Sequence, residues 1–170
     1  KYDVIIIGAG PSGIFCAYEL MRQKPDMKVL MIEKGRSIEK RQCPKRTTKV
    51  CVGCKPCSIT TGFAGAGAFS DGKLSLSPDV GGTLPEILGY EKAEELIKEA
   101  DNIYLKFGAD EKVYGIDDYE AIERIRAKAI RANLKLIECP IRHLGTEEGY
   151  KIYTRLQEHL LASGVEIKFM

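Results

Sequence analysis

The chain has 170 residues, 44% of them hydrophobic, which is enough for one sizeable core. Its 26 Lys and Arg residues and 24 Asp and Glu residues give a net charge of +2, too small to indicate a polyanionic partner for the whole molecule. No apolar run approaches the roughly 18 residues of a membrane helix, and the first residues do not form a charged leader followed by an apolar stretch. We therefore expect a cytoplasmic protein without a membrane partner.

The first predicted elements are a strand, a helix and a second strand. Tyr2 to Ile7 is a short β-branched apolar run that ends at a glycine, and Ile14 to Met21 has the apolar period of a helix. Lys28 to Ile32 has the continuous apolar pattern of a buried strand. Together these segments predict one βαβ unit.

The turn between the first strand and the helix, Gly8-Ala9-Gly10-Pro11-Ser12-Gly13, fits the pattern G-x-G-x-x-G. In this pattern the first glycine permits a tight turn, the second lets a pyrophosphate approach the backbone, and the third lets helix and strand pack closely. The helix N-terminus adds free N–H groups and partial positive charge for the phosphates. The turn therefore predicts a dinucleotide site that includes Gly8, Gly10, Pro11, Ser12 and Gly13.

Glu33 follows Gly13 by 20 residues, at the end of the second predicted strand. A carboxylate at this place can accept hydrogen bonds from ribose hydroxyls, and it disfavours the 2′-phosphate of NADP. FAD and NAD present the same ADP half to such a surface. These residues alone leave both cofactors open.

A loop-rich segment runs from Gly35 to Asp79, where the periodicity disappears. It contains Cys43, Cys51, Cys54 and Cys57, spaced C-x7-C-x2-C-x2-C. Two consecutive C-x2-C steps favour an iron–sulfur cluster or zinc, although the spacing departs from the ferredoxin pattern. The alternatives are unligated thiols, or a redox dithiol formed by Cys54 and Cys57.

Basic residues surround these cysteines. Eight Lys or Arg residues and one acidic residue, Glu39, lie between Lys34 and Cys57. No aromatic side chain interrupts this stretch for base stacking, which argues against a nucleic-acid surface. Neutralisation of thiolates or dinucleotide phosphates explains the charges more simply, and Arg41 is our candidate for a phosphate contact.

A second glycine-rich loop follows, from Gly62 to Lys73. Its small residues would let the backbone approach a ligand and present N–H groups to an anion, and we take Gly65, Ala66 and Gly67 as candidate cofactor residues. A glycine loop without any ligand contact is the alternative.

Regular patterns return in the second half of the chain. We predict helices over Glu91 to Phe107 and Asp117 to Ala132, and a strand over Leu134 to Glu138. Another helix is expected across Tyr150 to Ala162, followed by a strand from Val165 to Phe169 that joins the first two strands in a parallel sheet. The expected organisation is a nucleotide-binding unit of residues 1–34 and 146–170, with an insertion of residues 35–145.

The opening segment Tyr2 to Gly13, with Glu33-Lys34-Gly35 after the second strand, resembles the N-terminus of the two-dinucleotide-binding flavoprotein superfamily. More narrowly, the chain resembles a family of bacterial FAD-dependent dehydrogenases of unassigned substrate. That resemblance rests on Cys43-Pro44, Cys51 to Cys57, Gly62 to Leu74 and Arg142 to Thr146. It implies FAD in the dinucleotide site, with Lys34 and Gly35 beside it and the Gly65 to Gly67 loop near the flavin. Members of the family are much longer, which implies that this chain is an N-terminal part that is inactive alone.

The expected fold class is therefore α/β: a Rossmann-like parallel sheet, the FAD-binding half-fold, with a long loop-rich and helical insertion. The expected function is that of an FAD-dependent oxidoreductase acting on a small molecule with a separate electron donor or acceptor. The alternatives are an NAD-binding Rossmann module without flavin and a flavin-dependent nucleic-acid-modifying protein. No residue of the sequence is assigned a catalytic role.

Overall fold

The computed structural model describes residues 1–170 and divides them into two compact units. The first unit combines residues 1–72 with residues 145–170, and the second unit is residues 73–144. The segment 35–72, which we expected within the insertion, thus packs in the first unit.

The first unit contains a three-stranded parallel sheet. Its strands are β1 (Val4–Ile7), β2 (Val29–Glu33) and β6 (Glu166–Phe169), in the order β1-β2-β6. Helix α1 (Pro11–Gln23) connects β1 to β2, and helix α6 (Thr146–Ala162) precedes β6. The prediction of three neighbouring parallel strands, with the glycine turn at a helix N-terminus, is confirmed.

The core of the first unit lies between the sheet and these two helices. Met31 at the centre of β2 is fully buried, as are Ile14 and Ala17 on α1. Helix α6 buries residues at helical spacing, including Ile152 and Leu156. Side chains three and four positions apart share one helix face, so this spacing directs an apolar stripe into the core.

The segment 35–72 wraps onto the first unit without forming long elements. It contains 3-10 helices at Ile38–Lys40 and Ala66–Phe69 and a four-residue helix α2 (Lys45–Thr48). The backbone N–H of Ile38 donates to Oε1 of Gln157 at 3.0 Å, and the buried amide of Gln157 donates from Nε2 to Glu39 at 3.1 Å. A polar side chain of α6 therefore fixes the segment that follows β2.

The second unit is mixed. Its elements are β3 (Lys73–Ser75), α3 (Leu84–Leu88), α4 (Tyr90–Lys106), β4 (Val113–Tyr114), α5 (Tyr119–Arg131) and β5 (Ile141–His143). The three strands form an antiparallel sheet in the order β3-β5-β4. Helices α4 and α5 match the two helices expected in this part of the chain. Asp118 caps α5, because its Oδ1 accepts a hydrogen bond from the backbone N–H of Ala121 at 2.8 Å.

The strand predicted over Leu134 to Glu138 is wrong. Residues 132–140 form no regular element, and Leu134 and Ile137 are 66% and 45% exposed. A strand requires backbone hydrogen bonds to a neighbouring strand. In residues 132–140 such pairing begins only at Pro140, whose carbonyl accepts a hydrogen bond from the N–H of Leu76 at 2.8 Å. The segment Leu134 to Glu138 has an alternating apolar pattern but no neighbouring strand.

A buried ion pair organises the second unit. The guanidinium of Arg142 donates from Nε and Nη2 to the two carboxylate oxygens of Asp101, at 2.5 and 2.8 Å, and from Nη1 to the carbonyl of Asp110 at 2.5 Å. The hydrogen bonds to Asp101, with the negative charges of Asp101, Asp110 and Glu111, raise the pKa of Arg142. All of these contacts are internal to the second unit, so Arg142 has a structural role there.

None of the helices is long and apolar enough to cross a membrane.

Candidate functional site

The three glycines of the first turn occupy three different environments. Gly8 has φ of +97°, a conformation that favours glycine. A Cβ atom on Gly13 would lie 2.1 Å from the carbonyl oxygen of Gly8, so only glycine lets the helix pack against this turn. A Cβ atom on Gly10 would meet no atom within 4 Å. The absence of a side chain at Gly10 thus leaves an open space above the turn.

Gly10 is the N-cap residue of α1 and directly precedes the first turn of that helix. The helix begins at Pro11, which has no N–H group to satisfy, and the first intrahelical bond runs from the N–H of Ile14 to the carbonyl of Gly10 at 3.0 Å. The N–H groups of the first turn, at Ser12 and Gly13, lack carbonyl partners within the helix. No acidic residue lies in that turn. The geometry suits an anion.

The carboxylate of Glu33 binds the backbone of the glycine turn. Its side chain is only 6% exposed, and Oε2 accepts a hydrogen bond from the N–H of Ala9 at 2.8 Å. Oε1 accepts from the N–H of Gly35 at 2.7 Å. The carboxylate therefore joins the glycine turn to the backbone after β2. Each carboxylate oxygen can accept more than one hydrogen bond, so this arrangement is compatible with a ribose contact, which stays a prediction.

The second glycine-rich loop lies directly beside the first turn. The N–H of Ala64 donates to the carbonyl of Ala9 at 2.7 Å. A Cβ atom on Gly65 would come within 3.4 Å of Cα of Gly10. Ala66 is exposed, and Gly67 is near the hydroxyl of Tyr153. The structure thus brings the loop and the turn together, although 48 residues separate them in the sequence.

Arg41 holds the second loop in place. It is 3% exposed, and its guanidinium donates only to backbone carbonyls. These carbonyls belong to Ser58 (2.9 Å), Ile59 (2.7 Å), Phe63 (2.6 Å) and Gly65 (2.7 Å). Burial lowers the pKa of this guanidinium, while the nearby carboxylate of Glu33 opposes that shift. Four of the five N–H donors of Arg41 thus bind carbonyls of residues 58–65, in the second loop and the segment just before it, a role that the sequence did not indicate.

The other two candidates differ in exposure. Lys34 is exposed at the end of β2. Gly35 is buried, and a Cβ atom there would lie 2.4 Å from the backbone nitrogen of Gly62. Gly35 therefore lets the segment after β2 pack against the second loop.

The four clustered cysteines are not gathered around one centre. Cys43 is half-buried, and Cys51, Cys54 and Cys57 are exposed free thiols. Nowhere in residues 1–170 do three His, Cys, Asp or Glu side chains form a group that could hold a metal ion. The backbone N–H groups of Thr60 and Ile59 donate to Cys57 and lower the pKa of its thiol, with further contributions from the Thr60 hydroxyl and Arg41.

Comparisons with known proteins match the N-terminal part of this site. Residues 1–39 match the Thi4 family. A thiamine thiazole synthase from Coprinopsis cinerea is 52% identical over 33 residues, which are 19% of this chain and 10% of that protein. The matched segment contains β1, the glycine turn, α1 and β2.

Solved structures match over almost the whole chain. A 3-ketosteroid-Δ4-(5α)-dehydrogenase from Rhodococcus jostii RHA1, in complex with 4-androstene-3,17-dione, aligns with a TM-score of 0.52 and 16% identity, covering 99% of this chain and 37% of that one. A glycine oxidase from Bacillus cereus has a TM-score of 0.46 and 16% identity, with coverages of 99% and 47%. The chain thus spans less than half the length of these proteins. The predicted fold class, α/β with a Rossmann-like parallel sheet, is confirmed.

Proposed function

We propose that the chain is the FAD-binding portion of an FAD-dependent oxidoreductase, a dehydrogenase acting on a small molecule. The observation that carries this proposal is the glycine turn: Gly10 has open space at its Cβ position, directly precedes the first turn of α1, and lies beside the second glycine loop. A pyrophosphate placed there would meet unpaired N–H groups at the positive end of a helix dipole.

The residues fit successive parts of the cofactor. Gly8 to Gly13 would cradle the pyrophosphate, with the N–H groups of Ser12 and Gly13 as donors. Glu33 would accept from the adenosine ribose while keeping its bonds to Ala9 and Gly35. Lys34, exposed beside Glu33, would add positive charge near the adenosine half.

We assign the second loop to the half of the dinucleotide beyond ADP. Gly65 lies beside Gly10, and Arg41 fixes the backbone of the loop through the carbonyls of Phe63 and Gly65. The choice of FAD over NAD rests on the resemblance to the flavoprotein superfamily. When bound, the flavin supplies hydride or electron transfer. The contribution of this chain is to bind and orient the dinucleotide.

The Thi4 match supports the nucleotide site alone. It is confined to residues 1–39, the βαβ unit with the glycine turn, and includes neither the second loop nor α6. The match therefore supports the βαβ unit with its glycine turn, and we do not transfer synthesis of a thiamine thiazole from it.

Cofactor identification in the purified protein tests the proposal. The chain is expressed within its complete reading frame, and the cofactor released by heat is identified by mass spectrometry. We expect FAD and the visible absorption of a flavin. Gly10→Val should abolish retention, because its side chain enters the open space, whereas Ala127→Val, at an exposed position of α5, should retain FAD. NAD in place of FAD would overturn the proposal.

A further inference from the structure

A cavity of about 160 Å³ lies in the first unit, where the segment after β2 meets the loop that contains Lys55 and Ser58. Side chains with hydrogen-bond donors line it, and no acidic residue does. These side chains are Arg36, Gln42, Lys55, Ser58 and Thr61. The lining therefore favours a ligand that carries negative charge.

Most of these donors have no partner in the protein. Apart from Thr61, whose hydroxyl lies 3.5 Å from that of Thr60, these side chains form no hydrogen bond or ion pair within residues 1–170. Arg36 and Lys55 thus bring two positive charges to one cavity without a carboxylate to neutralise them. A bound anion would remove the repulsion between these charges and would accept hydrogen bonds from the donors.

The backbone that carries these donors is held in place. The carbonyl of Arg36 accepts a hydrogen bond from the N–H of Phe63 at 2.9 Å. The carbonyl of Ser58 accepts from Nε of the buried Arg41, also at 2.9 Å. Because both segments are fixed without a ligand, binding requires little further ordering of the backbone.

A larger cavity of about 460 Å³ adjoins the first, since Arg36 and Gln42 line both. Its lining includes Lys40 and the partly exposed ring of Phe169, the last residue of β6. Its one acidic residue, Glu39, already accepts two hydrogen bonds from other side chains. The larger cavity lies just beyond the carboxyl ends of β2 and β6, where α/β sheets commonly bind ligands. It has room for an organic group attached to an anion.

We propose that the two cavities bind a small phosphate monoester. The phosphate group occupies the smaller cavity, where the guanidinium of Arg36 and the ammonium of Lys55 pair with its oxygens and the Ser58 hydroxyl donates to it. The organic group lies in the larger cavity, against Phe169. A phosphate suits this site better than a carboxylate, because its three terminal oxygens can accept from all of these donors. The site uses no residue of the glycine turn, so it does not depend on the proposed flavin function.

An amide NMR titration of the ¹⁵N-labelled chain with glycerol 3-phosphate tests the proposal. It is carried out without FAD at about pH 8, where the phosphate is mainly a dianion. We expect saturable shifts of the signals of Arg36, Gln42, Lys55 and Ser58, with a Kd of about 1 mM or less. Glycerol, which lacks the phosphate, should cause no shift. No saturable shift of these signals would overturn the proposal, and so would shifts confined to Gly8 to Gly13, which would assign the anion to the glycine turn.

Three charge variants separate this site from general attraction to a basic segment. Arg36→Gln and Lys55→Gln should each weaken binding at least about tenfold, because each removes a charge-assisted contact with the phosphate. Lys49→Gln removes a positive charge at an exposed residue that lines neither cavity, and it should change the Kd by less than about twofold. Circular dichroism checks that each variant is folded. Equal weakening in all three variants would contradict the assignment.

Inorganic phosphate distinguishes a site for the free ion from a site for an ester. Glycerol 3-phosphate should bind at least about threefold more tightly than inorganic phosphate, because only the ester reaches the larger cavity. Equal or tighter binding of inorganic phosphate would overturn the assignment of the larger cavity to an organic group.

Discussion

Two glycines of the same turn should respond differently to the same substitution. Gly13→Ala places a methyl group 2.1 Å from the carbonyl oxygen of Gly8 and 3.3 Å from the Ile6 side chain. Because the closest atom belongs to the backbone, the turn itself must move. Gly10→Ala places the same methyl group in open space, at a residue whose φ of −75° suits alanine.

The expected costs follow from these contacts. Overpacking against a rigid backbone costs about 3 kcal/mol, and the better helix propensity of alanine offsets about 1 kcal/mol of it. Gly13→Ala should therefore lower the free energy of unfolding by about 2 kcal/mol. Gly10 is the N-cap residue of α1, where alanine is less favourable, so Gly10→Ala should cost at most about 1 kcal/mol.

Urea denaturation of the two variants, followed by circular dichroism, measures these costs. FAD binding is then measured in both variants under conditions where each is folded. We expect Gly10→Ala to weaken binding at least about tenfold, since the methyl group occupies the space assigned to the pyrophosphate. Equal stability losses in the two variants, or undiminished FAD binding by Gly10→Ala, would refute the separate roles of Gly10 and Gly13.

Three further outcomes are expected from the contacts of buried charges and from the cysteines. Glu33→Ala should destabilise the chain by about 2–4 kcal/mol in urea denaturation, because the N–H groups of Ala9 and Gly35 lose a charged acceptor; a loss below about 0.5 kcal/mol would contradict this role. Asp101→Asn should lower the melting temperature measured by calorimetry, since Arg142 stays buried without its counter-ion, whereas the surface variant Glu91→Gln should not. Iron, sulfide and zinc analysis after anaerobic purification should find metal well below one equivalent per chain, and a stoichiometric metal would show that the cysteine loop rearranges around it.

The βαβ unit could be predicted from local patterns. Continuous apolar runs marked β1 and β2, and the glycine spacing placed the turn between β1 and α1, because each signal depends on residues close in sequence. Pairing of the last strand with β2 followed from the alternation of strands and helices. The position of Glu33 at the end of β2 could be predicted from the sequence. Its hydrogen bonds to the N–H groups of Ala9 and Gly35 could not, because they depend on where the backbone of two other segments lies.

The arrangement of the segment after β2 could not be predicted. Arg41 carries the same charge as its exposed neighbours, and nothing in the sequence distinguishes the one guanidinium that is buried among carbonyls. The position of the second glycine loop beside Gly10 likewise depends on contacts between distant residues. The strand predicted over Leu134 to Glu138 is an element that the sequence predicts and the structure lacks. Its alternating pattern suits a strand, but no neighbouring strand pairs with it.

An amide NMR titration of the ¹⁵N-labelled chain with FAD, and separately with ADP, tests whether the glycine turn binds a dinucleotide, since it detects even weak binding. Both ligands should shift the signals of Gly8, Gly10, Ser12 and Gly13, and only FAD should also shift those of Gly65, Ala66 and Gly67. Shifts confined to residues 73–144, or no shift of the Gly8 to Gly13 signals at saturating FAD, would contradict the assignment of this site to a dinucleotide.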